Sequence, residues 1–285
     1  MNNKINVAVL GSTGYVGMEL VRILNNHENV NINFLGSENS TNKYLSNLEN
    51  TKQYNNLPKL KFNKSFDPHI SDYVFLALPH SISNKYVKEF YNKIKIIDLS
   101  ADFRLDDENV YIENYGNDHS CFQYLDNFIY GLAEINRLKI SDSQNIAVPG
   151  CYPTSVLLPL IPLIKNNLIN SDNIIIDSKS GYSGAGKKFD ISNIKKHKEF
   201  NFYNYNTNTH RHINEIKNEL IKHALSEVSF SFNPHVLPNF RGMMSTIYCE
   251  LNDKNNVNDI IEVFNDFDYN NSFIKFLKEE KNDFF

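Results

Sequence analysis

Apolar and polar positions alternate along the chain in two textures. Ile5 to Leu10 is a short apolar run that stops at Gly11, the pattern of a buried strand. Tyr15 to Leu24 then takes helical spacing, with Val16, Leu20, Val21 and Leu24 on one stripe. Asn31 to Leu35 predicts a second strand, Tyr73 to Leu78 a third that Pro79 stops, Ser83 to Tyr91 a helix and Ile94 to Leu99 a fourth strand. Strand, helix, strand in succession predicts a parallel sheet with crossover helices, while the polar stretch from Ser37 to Asp67 predicts no single element. After Gly150 the texture changes. Asn173 to Asp177 predicts a strand, Ser180 to Gly186 a glycine loop, and His212 to Leu225 a helix with Ile213, Ile216, Leu220 and Ile221 on one face. Val228 to Phe232 and Met243 to Leu251 alternate, the latter placing Met243, Ser245, Ile247, Cys249 and Leu251 on one side, as in a mixed or antiparallel sheet. The expected class is α/β in two domains, residues 1–149 and 150–285, divided near Pro149.

Composition narrows the class. Of 285 residues 41% are hydrophobic, with 20 Phe and 16 Tyr, enough to build a core and exclude wholesale disorder. A net charge of -4 argues against a dedicated nucleic-acid surface. Three cysteines without CxxC spacing argue against a disulfide framework or a zinc site, so no metal is expected and a reducing compartment is. The N-terminal apolar run is too short for a signal peptide. The longest apolar stretch, Val156 to Leu168, is interrupted by Pro159, Pro162 and Lys165, so no membrane partner is expected and the reading is cytoplasmic.

Candidate chemistry sits at the element junctions. Gly11-Ser12-Thr13-Gly14-Tyr15-Val16-Gly17 joins the first strand to the first helix. Its glycines allow a tight turn, close approach of a pyrophosphate and close packing of helix on strand, while the helix N-terminus offers free N–H groups. No acid stands at the end of the second strand; Gly36-Ser37 is there instead, leaving room for a 2′-phosphate and tilting the cofactor to NADP, with Ser37 a possible contact. Cys151 follows a Pro-Gly turn and precedes an apolar helical segment, so it is either a thiolate nucleophile at a helix N-terminus or a small buried hydrophobe, the reading given to Cys121 and Cys249. The Ser180–Gly186 loop, with Ser183 and Gly184, can wrap an anion with backbone N–H groups. His210 and His212 lie two residues apart, a spacing that keeps them off one helix face and disfavours a shared metal; one of them can serve the thiolate as acid–base partner. Arg104 either faces an acidic substrate or pairs with Asp102.

Taken in order, GSTGYVG (Gly11–Gly17), FLALPH (Phe75–His80), IDLSADFRL (Ile97–Leu105), YGLAEI (Tyr130–Ile135), VPGCYPT (Val148–Thr154), SGYSGAG (Ser180–Gly186), HRHINEI (His210–Ile216) and PHVLPNFRGMMSTIY (Pro234–Tyr248) resemble the N-acetyl-gamma-glutamyl-phosphate reductases over nearly the whole chain. The resemblance implies a Rossmann domain followed by a catalytic and dimerisation domain like those of aspartate-semialdehyde and glyceraldehyde-3-phosphate dehydrogenases. It implies NADPH-dependent reduction of an acyl phosphate, N-acetyl-L-glutamyl 5-phosphate, to the semialdehyde in arginine biosynthesis, through a thioester on Cys151. His210 would be the acid–base catalyst, with His212 second. Arg104, Ser180, Ser183, His212 and Arg241 would hold substrate, and Gly11 to Gly17, Ser37 and Gly184 the cofactor. A homodimer or homotetramer built on the second domain is implied as well. The chain departs from the family at Ser155 and Pro159, which can alter the helix after the catalytic turn, at Ser81, where Gly is common, and at Lys187, where Arg is usual. The family continues past the position of Phe285 with a closing Asn-Leu-x-Lys-Gly segment, so the chain reads as cut short. The rival readings are an aspartyl- or aminoadipyl-phosphate reductase of the same superfamily, or a catalytically silent NADP-binding protein.

Overall fold

The computed structural model describes residues 4–38, 40–48, 57–187, 195–196 and 199–277. The chain divides into two compact units: Met1–Gly150 with Ser183–Asp190, and Cys151–Tyr182 with Ile191–Phe285.

The first unit is built on strands β1 (Ile5–Leu10), β2 (Val30–Gly36), β3 (Phe62–Asn63), β4 (Tyr73–Leu76), β5 (Lys95–Asp98), β6 (Ile129–Tyr130) and β7 (Asn145–Ala147), in the spatial order β3-β2-β1-β4-β5-β7-β6. Every neighbouring pair is parallel. Successive residues of a strand face opposite sides, so β1 feeds two cores. Val7 and Val9 join Met18, Val21, Leu24, Ile32, Leu45 and Phe62. Ala8 and Leu10 join Val74, Val87, Phe90, Ile96 and Phe103 on the other face. Helices α1 (Tyr15–Asn25) and α2 (Ser83–Phe90) supply part of these two covers; α3 (Glu108–Tyr115) and α4 (Ala133–Ser141) complete the helices of the unit among the described residues. Strand order reverses between β1 and β4, and at such a switch point the loops leaving the strand ends part to leave a crevice.

The buried stripe of α1 differs from the expected one. It is Gly17, Met18, Val21 and Leu24, whereas Val16 is 58% exposed. Gly17 sets the phase: a Cβ there would lie 2.3 Å from the Gly11 carbonyl oxygen, so the bare face of residue 17 must turn inward and Val16 turns out. Among its described residues, the unassigned stretch between Ser37 and Asp67 provides a 3-10 turn (Leu45–Asn47) and β3, whose Leu45 and Phe62 close the first core; residues 39 and 49–56 lie outside the described residues.

The second unit carries a mixed sheet of β8 (Ile174–Gly181), β11 (Tyr203–Asn204), β12 (Phe230–Leu237) and β13 (Met243–Tyr248), in the order β11-β12-β8-β13; Lys195–Lys196 (β9) and Glu199–Phe200 (β10) form a separate ribbon. β12 and β8 run parallel, and the outer two pairs antiparallel. Helices α5 (Cys151–Lys165), α6 (His212–Ile221) and α7 (Val257–Asn270) complete the unit. Val156, Leu157, Leu160 and Ile161 of α5 are buried, as are Ile216 and Leu220 of α6 and Ile174, Ile176 and Phe232 of the sheet.

Three expectations need correction here. The buried face of α6 is His212, Glu215, Ile216, Glu219 and Leu220, and Ile221 is 51% exposed. The helix buries two carboxylates in place of an isoleucine, and Lys222 reaches Glu219 at 2.6 Å. The expected loop at Ser180 begins later, because β8 runs on through Gly181, whose N–H donates to Gly242 O at 2.9 Å. β13 ends at Tyr248, so Cys249 is exposed instead of facing a core, while Cys121 is buried as expected.

Gly11 has φ +76°, and a Cβ there would lie 2.1 Å from the Ala77 carbonyl oxygen. Gly11→Ala should therefore cost at least about 2 kcal/mol of the first unit's stability, combining a left-handed backbone with a backbone clash. Chemical unfolding of the variant beside the wild type measures that loss, and equal midpoints would refute it.

Candidate active site

The first unit presents a glycine cradle at the end of β1. Gly11 and Ser12 N–H both donate to Gly36 O, at 3.1 and 3.3 Å, and Gly14 N–H donates to Gly11 O at 3.1 Å. These bonds fold the turn tightly and start α1 at Gly14, with no side chain capping its first turn. Tyr15, Val16 and Gly17 thus carry the helix N–H groups that can meet a diphosphate. Thr13 lies in the same turn, and its carbonyl accepts from Lys187 Nζ, which also stands 5.9 Å from the centre of the Tyr15 ring. Ser12 is fully buried and its hydroxyl donates to Gly36 O at 3.0 Å, so its side chain holds the turn to β2. Ser37 follows Gly36 directly, and its N–H donates to Asn63 O at 3.1 Å. The cradle fits a dinucleotide: α1 opens at a glycine N-cap with no side chain capping its first turn.

Beyond β5 lies a buried acid network. Asp98 accepts from the Ser100 hydroxyl at 2.6 Å and from Ser100 N–H at 3.1 Å. Burial pushes its carboxyl up to about 6, partly offset by these bonds. Asp102 accepts from Ser81 N–H at 2.8 Å and from the Tyr111 hydroxyl at 2.9 Å. Ser81 has φ +66°, so the carboxylate steadies a left-handed residue in the loop after β4, at the position where the family favours Gly. Arg104 is only 8% exposed, and its guanidinium donates to Leu99 O at 3.0 Å, bracing the loop from inside.

The second unit opens on Cys151, the first residue of α5 and exposed. Of the two readings of this thiol, burial as a small hydrophobe is excluded. At a helix N-terminus the peptide dipoles favour a negative sulfur. Pro153 sits in the first turn, where its missing N–H costs nothing. The helix runs unbroken through Pro159 and Pro162, so these prolines do not end it. Ser155 braces its start, donating to Tyr152 O at 3.0 Å and meeting the Ser245 hydroxyl at 2.7 Å; Ser245 in turn meets Ser178 at 2.7 Å.

His210 is boxed by rings. Tyr152, Tyr205 and Phe232 present edge-to-face contacts at 5.5, 5.5 and 5.6 Å between ring centres, and His212 lies at 4.7 Å. The His212 N–H donates to His210 Nδ1 at 3.1 Å. Burial, with the Arg211 charge adding to it, pulls the His210 imidazole down to about 4. His212 is 5% exposed and starts α6. Burial raises both tyrosine hydroxyls, and the charge of Cys151 raises them further, so the thiol, Tyr152 and Tyr205 share one electrostatic neighbourhood with His210. Ser180 is 6% exposed and its hydroxyl bonds Gly181 O at 2.8 Å. Arg241 lies exposed in the β12–β13 connection, its guanidinium 5.5 Å from the Phe240 ring centre. Ser183 and Gly184 fall in the 3-10 turn after β8 and are grouped with the first unit. Tyr205 and Lys187 did not emerge as site residues from sequence reasoning. Tyr205 is hidden among Asn and Tyr repeats (NFYNYNTNTH), and only the fold brings it to His210.

Both parts of the chain are those of a semialdehyde dehydrogenase. Residues 6–143 match the family model described as semialdehyde dehydrogenase, NAD binding domain, and residues 151–283 the one described as semialdehyde dehydrogenase, dimerisation domain. The fold is that of aspartate semialdehyde dehydrogenase II from Vibrio cholerae, solved in complex with ASA (TM-score 0.68, 18% identity, 93% of this chain and 80% of that one). It is likewise that of the Candida albicans aspartate semialdehyde dehydrogenase solved with NADP (TM-score 0.64, 16% identity, 92% and 76%). Closer in sequence are N-acetyl-gamma-glutamyl-phosphate reductases. That of Ehrlichia canis (strain Jake) is 43% identical over 284 residues, covering 99% of this chain and 81% of the relative. That of Caldicellulosiruptor bescii is 42% identical, covering 97% and 80%. The chain belongs to the N-acetyl-gamma-glutamyl-phosphate reductase family, an oxidoreductase family with a nicotinamide cofactor. Among the described residues no group of three or more His, Cys, Asp or Glu is placed to hold a metal ion, and no helix is long and apolar enough to cross a membrane.

The two perturbed groups have opposite effects on stability. An unfolded His titrates near ~6.5, so above that pH His210 is neutral in both states and its contribution is fully present. As the pH falls toward 4 the unfolded chain takes a proton that the folded one refuses, and up to about 3 kcal/mol is lost. Asp98 runs the other way: between about 6 and 3.8 the folded chain takes its proton first, and stability rises as the pH falls. Unfolding free energies measured from pH 6.5 to 4 should show the acid loss relieved in His210→Gln and the acid gain removed in Asp98→Asn. Parallel curves for both variants and wild type would contradict this assignment.

Proposed function

We propose that this chain reduces N-acetyl-L-glutamyl 5-phosphate to N-acetyl-L-glutamate 5-semialdehyde with release of phosphate, as its family does in arginine biosynthesis. The observation that carries the reading is an exposed cysteine at the first position of α5, in a helix-terminal field that favours thiolate, whose charge acts on the same two tyrosines, Tyr152 and Tyr205, that pack against a desolvated imidazole. Cys151 attacks the acyl-phosphate carbonyl, the C–O bond to phosphate breaks, and a thioester remains. A nicotinamide cofactor held at the Gly11–Gly17 turn would supply hydride to that carbonyl. The resulting oxyanion re-forms its C=O double bond as the C–S bond breaks, returning the electron pair to sulfur and releasing the aldehyde. His210, with His212 beside it, is the imidazole that serves the reacting carbonyl. Ser180 backbone and Arg241 are the substrate-side groups of the second unit, with Arg104 and Ser183 those of the first.

NADP is the proposed form of the cofactor. Gly36-Ser37 at the end of β2 offers no carboxylate to a ribose 2′-hydroxyl at that position, and Gly11 to Gly17 with Lys187 supplies a donor-rich turn for the diphosphate. Gly184 is assigned to the cofactor as well. The proposed assembly is a homodimer, or a homotetramer built from it, formed through the open face of the mixed sheet. Ile175, Met244 and Tyr248 stand 52%, 57% and 58% exposed there, around Asp177, which Lys179 and His235 face. Such an apolar sheet face with a polar centre suits burial against a second copy. A cytoplasmic setting suits the free thiols.

Cys151→Ser should abolish NADPH oxidation with the acyl phosphate, and the reverse phosphate-dependent reduction of NADP by the semialdehyde, while NADPH fluorescence titration shows unchanged binding. Turnover at the wild-type level in that variant would end the thioester reading. Met244→Glu should lower the molar mass seen by light scattering toward that of one chain, and an unchanged mass would remove the sheet face as the interface.

A further inference from the structure

The hydrogen-bond directions around His210 fix where its proton sits. Nδ1 accepts from the His212 N–H at 3.1 Å, so in the neutral ring the proton is on Nε2. The Tyr152 hydroxyl donates to His235 O at 3.2 Å, and the Tyr205 hydroxyl donates to the Tyr152 oxygen at 3.5 Å. Tyr205 has no second hydrogen, so at its 3.5 Å contact with Nε2 it can only accept. Each assignment agrees with its neighbours: Nε2–H to Tyr205, Tyr205 to Tyr152, Tyr152 to a strand carbonyl. An imidazolium would set a second N–H against the His212 amide, and the ring's depressed pKa agrees with its exclusion. The contacts of 3.5 Å are long, as bonds to a catalytic group often are before substrate binds.

We propose that Tyr205 is a positioning residue: the His212 N–H fixes the neutral Nε2–H tautomer of His210, Tyr205 holds that N–H in place in the free enzyme, and the N–H passes from Tyr205 to the thioester carbonyl oxygen when substrate binds, so that the ring serves as a hydrogen-bond donor and not as the base that takes the thiol proton. The inference rests on the reading of Cys151 and His210 given above. The chemistry is consistent with it. When sulfur enters as thiolate, its electron pair forms the C–S bond and phosphate leaves with the C–O pair. Hydride then adds to carbon, the oxyanion re-forms the carbonyl, and the C–S pair returns to sulfur. No proton has to be transferred along this sequence. What the carbonyl oxygen requires is a donor fixed in place while charge develops on it, and a neutral imidazole N–H meets that need. The groups facing the ring are Tyr152, Tyr205, Arg211, His212 and Phe232, with Cys151 adjoining Tyr152. Among these the Tyr205 hydroxyl is the one in contact with Nε2.

The test is long-range proton–nitrogen correlation spectroscopy of the 15N-histidine-labelled chain near neutral pH, with His210 assigned by loss of its signals in His210→Gln. The expected wild-type spectrum shows His210 as the Nε2–H tautomer; an Nδ1–H tautomer or an imidazolium would overturn the proposal. Tyr205→Phe keeps the ring packing and removes the acceptor. Its kcat should fall roughly five- to tenfold, the effect of one lost positioning hydrogen bond. KM for the acyl phosphate should stay within about twofold, and the His210 Nε2–H signal should shift as it loses its acceptor, while Nδ1 still accepts from the His212 N–H. Unchanged kcat and unchanged signals in a folded variant would equally overturn the proposal, and should the variant fail to fold, the wild-type tautomer decides. Cys151→Ser separates the two layers: turnover retained there defeats the underlying site reading, whereas turnover lost there with a wild-type-like Tyr205→Phe defeats only this inference.

Discussion

Tyr152 is the side chain on which the second unit's site depends. It follows Cys151 directly, is 2% exposed, and carries a hydroxyl that needs a partner in the interior. An unmet buried hydroxyl costs about 1–3 kcal/mol. The His235 carbonyl of β12 meets it, tying the first turn of α5 to the sheet. The same ring packs edge to face on His210 and Phe232. One residue therefore fixes the start of the helix, and with it Cys151, and also packs over the imidazole. Burial, with the Arg211 charge adding to it, keeps the His210 pKa low.

The two units solve their binding problems with different materials. In the first, backbone does the work: Gly11, Gly14 and Gly17 let a strand, a turn and a helix approach closely, leaving N–H groups at the surface. Its side-chain network, Asp98 with Ser100 and Asp102 with Ser81 and Tyr111, steadies the loops that leave β4 and β5 at the same sheet edge. In the second, side chains carry the site. Rings surround His210, and a ladder of three hydroxyls, Ser155, Ser245 and Ser178, joins α5 to β13 and β8. Ser155 donates to Tyr152 O, so Ser245 donates to Ser155 and Ser178 to Ser245, and each hydroxyl has a partner in a low-dielectric interior.

Much of this was legible beforehand, for identifiable reasons. β1 is buried on successive residues from Val7 to Leu10, and a strand buried on both faces leaves a continuous apolar run in the sequence. The glycine turn declared itself because only glycine tolerates the backbone of residue 11 and the crowding at residue 17. Cys151 stood out because a Pro-Gly turn before an apolar segment places it at a helix start. The misreadings share a cause. Val16 and Ile221 are apolar yet face outward, and Glu215 and Glu219 are charged yet buried, because helix phase is set by what the helix meets. Cys249 was read as inward-facing from an alternation that outlasts the strand carrying it.

The sequence by itself determined the two-part α/β order, the glycine cradle and the placing of Cys151 at the start of an apolar helix, with His210 and His212 two residues apart. These rest on short-range rules: strand period, turn chemistry and helix termini act within a few residues. Tertiary structure alone decided which rings enclose His210, that its Nδ1 accepts from the His212 N–H, and that Tyr205 is its neighbour. Those facts depend on groups brought together from α5, α6, β12 and the segment before α6, and Tyr152 and Phe232 are distant from His210 in the chain and adjacent to it only in the folded protein.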